Sequence, residues 1–325
     1  MRPTTALLPR SLAAFATLIA TTSTSTAQCP PEGNLELFTG TASVGCPCFA
    51  AGEEAGVVLE APADHYPIEI LKVEITWASQ FGGSPQSLEQ AIHIYPAGLP
   101  NPGTPQFTLP GPVLTDGFIN QFDIEPIPGN KIIDSGPFLV SLEFLNANAG
   151  MFFSPSVVHD GNGCTSGRNA VFAIPGGWSN ACSLGVSGDW RIAVQYRRAA
   201  SAEARNGGAN PLSYTADPIA IGQPWSASVD NAGAGQLFSA LFAFDSSFSL
   251  TLSGGQTLLA IDLGSGEMFT GGGLMPSSSA AGVDSYNLSV PNDTSLCGLE
   301  IFTQAVQFGN APFVLSNAQD FYIGS

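Results

Sequence analysis

The chain's only imidazoles are His65, His93 and His159, so they are the only histidine bases a nucleophilic Ser or Cys could use. No Gly-x-Ser-x-Gly elbow accompanies them. None is followed by the Glu of a His-Glu-x-x-His zinc site. Each lies in a predicted strand or beside a turn and reads as a polar surface or capping histidine. Paired carboxylates that hydrolyse a glycosidic bond are set apart by the fold rather than by spacing along the chain. With 26 Asp and Glu residues, that chemistry stays open. Asp160-Gly161-Asn162-Gly163 starts like a calcium loop, but Cys164 occupies the fifth position, so the stretch reads as a turn. The segment 262–267 reads the same way. No cofactor is expected, calcium being the ion that carboxylates of this number would suit.

Sugar binding on a β-sandwich uses exposed aromatic rings. Trp77 and Trp190 continue inward-facing sets of apolar residues and read as core. Trp178 lies in the turn-rich run Pro175-Gly176-Gly177-Trp178-Ser179-Asn180. It is the candidate ligand-binding ring, or else a loop residue folded back as a plug. Six cysteines (29, 46, 48, 164, 182 and 297) are expected to pair in an oxidising compartment. Cys164 with Cys182 is the favoured bridge, because it would close a Gly-rich loop that has little core of its own. Cys46 and Cys48 either pair together or one of them bonds Cys29, and Cys297 finds a partner across the domains or stays free. Zinc is excluded for Cys46-Pro47-Cys48 by its spacing and the lack of a nearby His.

The elements that must position these residues announce themselves by alternation. Residues 190–196, 138–144 and 248–252 alternate apolar and polar side chains, as half-buried strands do. In 68–77 the apolar parity switches between Ile70 and Leu71, which predicts a β-bulge there. Glu89 and His93 have helical spacing, but 92–95 also reads as a strand. Turn residues at 96–105, 126–130, 161–167 and 175–180 space the strands as a sandwich requires. The small and polar stretch 199–210 is expected to be a linker. Six further strands are expected beyond it, at 237–244, 248–252, 258–263, 286–290, 299–308 and 320–323.

Residues 1–27 read as a signal peptide: Arg2 and Arg10, an apolar stretch from 12 to 20, and the small residues Ser25-Thr26-Ala27 before the cut. That stretch is too short to span a bilayer, and no later apolar run is long enough. The formal charge of −17 becomes two units more negative on cleavage. A negative field repels phosphate, so nucleic acid is excluded as a partner.

Asn206-Gly207-Gly208-Ala209-Asn210-Pro211, Ile221-Gly222, Trp225, Val290-Pro291-Asn292-Asp293 and Leu315-Ser316-Asn317-Ala318 resemble a C-terminal β module of exported planctomycete proteins whose function is uncharacterised. The likeness covers about the last third of the chain and implies no catalytic residue. The expectation is therefore all-β: two β-sandwich domains, jelly-roll or Ig-like, at 28–198 and 211–325, after a cleaved signal peptide. Such a protein is expected to be secreted or held in the cell envelope without a membrane span. It would be a non-enzymatic protein that meets an extracellular partner or glycan. The alternatives are a polysaccharide hydrolase with paired carboxylates and a structural surface component.

Overall fold

Period-two burial organises the chain. The computed structural model describes residues 28–41, 44–151, 153–206, 208, 210–261 and 273–325. The proposed signal peptide and the 262–267 turn lie outside them. Among the described residues, strands and short 3-10 turns are the only regular elements.

Two sheets enclose the first core. The back sheet is built around Ile68–Ala78, whose eleven residues pair with Ile192–Arg198 and Ser156–His159 on one edge. Its other edge pairs with Phe118–Asp123 and Ile132–Ile133. The predicted bulge is present: Gln195 faces Lys72 while Tyr196 faces Ile70, so Leu71 is the extra residue. It restores Ile68, Ile70, Val73, Ile75 and Trp77 to one buried face. The front sheet runs in the order Gly177–Asn180, Asn169–Ala173, Glu54–Leu59, Phe138–Glu143, Ala91–Tyr95, Phe107–Pro110, all antiparallel. Its inward residues Val57, Leu59, Val140, Leu142, Ile92 and Ile94 meet those of the back sheet in one core. Trp77 and Trp190 are both in that core. The helical spacing of Glu89 and His93 is overridden, since Ala91–Tyr95 is a strand.

A second core, around Tyr214, Trp225, Val229, Leu241, Tyr286, Ala305 and Phe321, lies in the C-terminal part. One sheet there has the order Ser201–Arg205, Val314–Tyr322, Glu300–Phe308, Phe238–Phe244. The other has the order Tyr214–Ala216, Pro224–Asp230, Val283–Ser289, Ser278–Ala280, and a hairpin joins Ser246–Thr251 to Thr257–Ile261. The stretch 199–210 differs from the expected linker. Its Ser201–Arg205 portion pairs in register with Val314–Tyr322 as an edge strand. The Arg205 guanidinium holds it there through Asp320, at 2.6 and 3.1 Å, and the carbonyls of Phe248 and Leu259. Asn210, almost fully buried, donates to the carbonyls of Thr257 and Ser316.

All six cysteines pair: Cys164 with Cys182, Cys46 with Cys48, and Cys29 with Cys297. The last bridge joins the entry to the first sandwich to a turn of the second. Beside it, Arg197 Nη1 donates to the Cys29 carbonyl, and the Arg198 guanidinium lies 3.7 Å from the Tyr322 ring centroid.

Candidate functional site

The outward face of the front sheet carries polar and aromatic side chains in register. One row across the ladders reads Trp178, Phe172, Glu54, Glu143. The next reads Ala170, Gly56, Ser141, His93, Thr108. Small residues in the middle of the second row leave a trough, and a Cβ on Gly56 would come within 3.1 Å of the Ser141 Cβ. Tyr95 reaches across it, and its hydroxyl donates to both Glu54 carboxylate oxygens at 3.0 Å. Ser141 Oγ adds a 2.5 Å bond to Glu54 Oε2. His93 bridges Thr108 Oγ1 and Glu143 Oε2, each at 2.9 Å.

Glu54 and Glu143 stand directly opposite each other across their ladder, an arrangement that puts neighbouring carboxyls within reach. Burial raises the Glu54 pKa, against the hydrogen bond from Ser141 and the nearby His93, with Glu143 adding a further push upward. Burial also raises that of Tyr95, with the Glu54 charge as the next cause. An acid with a raised pKa beside a second carboxylate is the raw material of acid catalysis. Here, however, Glu54 is only 7% exposed and its oxygens already accept from two hydroxyls. The carboxyl ties three strands together and offers no face to a substrate.

Because the folded chain holds the Glu54 proton more tightly, its contribution to stability is complete below the ordinary Glu range. It is lost as pH rises through the raised folded value. The gap in Tm between the native chain and Glu54→Gln should therefore shrink from about pH 4 to about pH 8. Thermal melts across that range check this, and a constant or widening gap contradicts it.

The structure places Trp178 on the strand Gly177–Asn180 rather than in a loop. Its ring is half-buried, edge-on to Tyr95 at 5.3 Å and 5.4 Å from Phe172. That is the packing of a plug on a small outer cluster with Val58 and Leu139. His159 accepts from Gly161 N, and His65 bonds the Tyr196 hydroxyl; among the described residues neither is bonded to a Ser or Cys. Asp160 accepts from the amides of Thr39, Asn162 and Asp189, which makes its segment a turn. Among the described residues no group of three or more His, Cys, Asp or Glu stands close enough to hold a metal ion.

A second candidate lies at one end of the first sandwich, where residues 79–88 and 145–155 contain no charged side chain. Phe81 and Phe153 stack there at 5.3 Å with 21° between their planes, yet remain 75% and 66% exposed. Buried Asp116 fixes the first segment by accepting from Ser79 N, Ser79 Oγ and Ser84 N. Burial works against its charge, but these hydrogen bonds outweigh it and hold the pKa low. Asn148 anchors the second segment through Phe49 N and Ser156 Oγ. A cleft of about 460 Å³ between them is lined by Gln86, Ser87, Glu89, Asn146, Asn148 and Met151, among others. Glu89 accepts from Leu145 N, and burial raises its pKa. Sequence reasoning missed this site, although two phenylalanines inside Gly- and Asn-rich turns have no reason to face a core.

Fold and sites together define an antiparallel β protein of two cores, stapled by three disulfides. Among the described residues no helix is long and apolar enough to cross a membrane. No family model matches the chain, and neither the curated proteins nor the solved structures give a match.

Proposed function

We propose that the protein works outside the cytoplasm as a non-enzymatic binding protein that holds an uncharged glycan at the loop end of its N-terminal sandwich. Export is supported by the signal-like residues 1–27 and by the pairing of every cysteine. The observation that carries the reading is the exposed Phe81–Phe153 stack on the two segments that also line a cleft of mixed amide, hydroxyl and apolar side chains. The one carboxyl lining that cleft among the described residues, Glu89, is nearly buried and bonded to Leu145 N. Aromatic faces suit the C–H faces of sugars, and Gln86, Ser87 and Asn146 suit their hydroxyls. Exposed apolar surface of this kind marks interaction sites. The absence of charge from both segments, in so acidic a chain, fits a neutral ligand better than an ionic one.

The purified chain from residue 28 onward, applied to an array of neutral oligosaccharides, should bind a subset of them. Phe81→Ala with Phe153→Ala should weaken that binding by about tenfold or more, the scale expected when aromatic contacts worth ~0.5–1.5 kcal/mol each are lost. Trp178→Ala should leave it within about twofold. Loss of binding in Trp178→Ala alone would move the site to the front sheet. Release of reducing ends by the native chain would replace the binding reading with hydrolysis by paired carboxylates, and no binding by any form would end the glycan reading.

A further inference from the structure

The C-terminal sandwich contains a cavity of about 250 Å³ between its two sheets, walled by Trp225, Leu241, Leu288, Leu296, Leu299 and Ile301 with their neighbours. Among the described residues no ionisable side chain lines it, and Ser289 and Thr303 supply the side-chain hydroxyls. Thr303 Oγ1 is already engaged with the Tyr214 hydroxyl and the Gln319 carbonyl. The Trp225 indole N–H donates to the Asp217 carbonyl, so that ring presents only its apolar body to the cavity. Leu288 and Leu299 are 37% and 42% exposed at its rim, so the cavity opens to solvent through apolar side chains. Its wall is also fixed in place. Leu296 ends the 3-10 turn Thr294–Leu296, which Asp293 caps through Ser295 N, and the next residue is Cys297, bonded to Cys29.

A space of this size, apolar among the described residues apart from the hydroxyls of Ser289 and Thr303, disfavours water-rich ligands. An apolar cavity of roughly 150 Å³ is known to hold a benzene ring. On that scale this one holds roughly ten carbon atoms. Among the described residues the wall offers no cation to an acid, and the chain as a whole carries a charge of −17, so an anionic head group at the rim would be repelled. We infer that this cavity is a binding site for an uncharged, medium-length alkyl chain, inserted tail first, with a neutral polar head left at the Leu288–Leu299 rim. The inference is independent of the glycan site, which lies on the other sandwich.

Straight-chain primary alcohols from hexanol to dodecanol, titrated calorimetrically and by displacement of the neutral dye N-phenyl-1-naphthylamine from the full chain, test it. Affinity should rise roughly fourfold with each methylene, following apolar transfer, and level off near about ten carbons. Decanoate should bind at least about tenfold more weakly than decanol at neutral pH. Ala243 also lines the cavity, so Ala243→Phe, which fills it, and Leu288→Asp, which charges its exposed rim, should each weaken decanol by about tenfold or more. The rim variant keeps the test intact if the filled one fails to fold. No saturable binding, affinity that rises without a chain-length limit, equal binding of decanoate, or native affinity in the rim variant would each overturn the inference.

Discussion

Trp190→Ala should destabilise the N-terminal sandwich by about 3–5 kcal/mol, the range for removing a large buried aromatic. The ring is fully buried, against Phe49 at 5.7 Å and His159 at 5.8 Å. It also bonds the two sheets at one point: Nε1 donates to the Ala170 carbonyl of the front sheet at 3.1 Å. Truncation therefore opens a cavity and leaves a buried acceptor without its donor, two costs that add. The cores of the two sandwiches share no residue, so the loss should be local. Denaturant unfolding combined with limited proteolysis checks this. Cleavage should appear first within residues 28–198 while the C-terminal part stays resistant. Unchanged stability, or simultaneous loss of both parts, would contradict the separate-core account.

The second large effect concerns the bridge between chain positions 29 and 297. Cys29→Ser with Cys297→Ser should cost about 2–5 kcal/mol, because the bridge spans 268 residues and loop-closure entropy grows with the closed length. Removing Cys164–Cys182, with a separation of 18, should cost less, and removing Cys46–Cys48, with a separation of 2, least. Calorimetric scans of the three double variants give the order directly. The first should also loosen the contact between the sandwiches, since the Cys29 backbone is held by Arg197 and by Ser325 Oγ as well as by the bridge. A Tm for the first variant equal to or above that of the Cys46–Cys48 variant would refute this ranking.

The fold was legible where burial alone decides it. Alternation located the strands Phe138–Glu143, Ile192–Arg198 and Ser246–Thr251, and the parity switch at Ile70 and Leu71 located the bulge. Both follow from a one-dimensional rule, that successive side chains of a strand point to opposite faces. Pro224–Asp230 carries the same signal in Trp225, Ala227 and Val229, separated by serines, and adds a strand to the six expected in this part of the chain. Ser201–Arg205 gave no such signal, because Ser and Ala have weak strand propensity and the segment is held by Asp320 and two distant carbonyls.

The candidate sites were less legible, for a related reason. Alternation says that Glu54, Ser141, His93 and Trp178 can share a face, but the order of strands in the sheet decides which of them meet. That order places Glu54 on a strand between those of Phe172 and Ser141, and no local pattern encodes it. The turn formers around Trp178 predict a loop, and pairing with Asn169–Ala173 makes it a strand residue.

By itself the sequence determined the class of fold, the bulge, the buried Trp77 and Trp190, and the Cys164–Cys182 bridge. These depend on hydrophobic period and on contacts close along the chain. Tertiary structure alone decided the 29–297 bridge, the Glu54–Tyr95–Ser141 cluster, the exposed Phe81–Phe153 stack and the apolar cavity by Trp225. Each joins residues whose proximity is set by strand order and sheet packing, which depend on the whole chain closing around its cores.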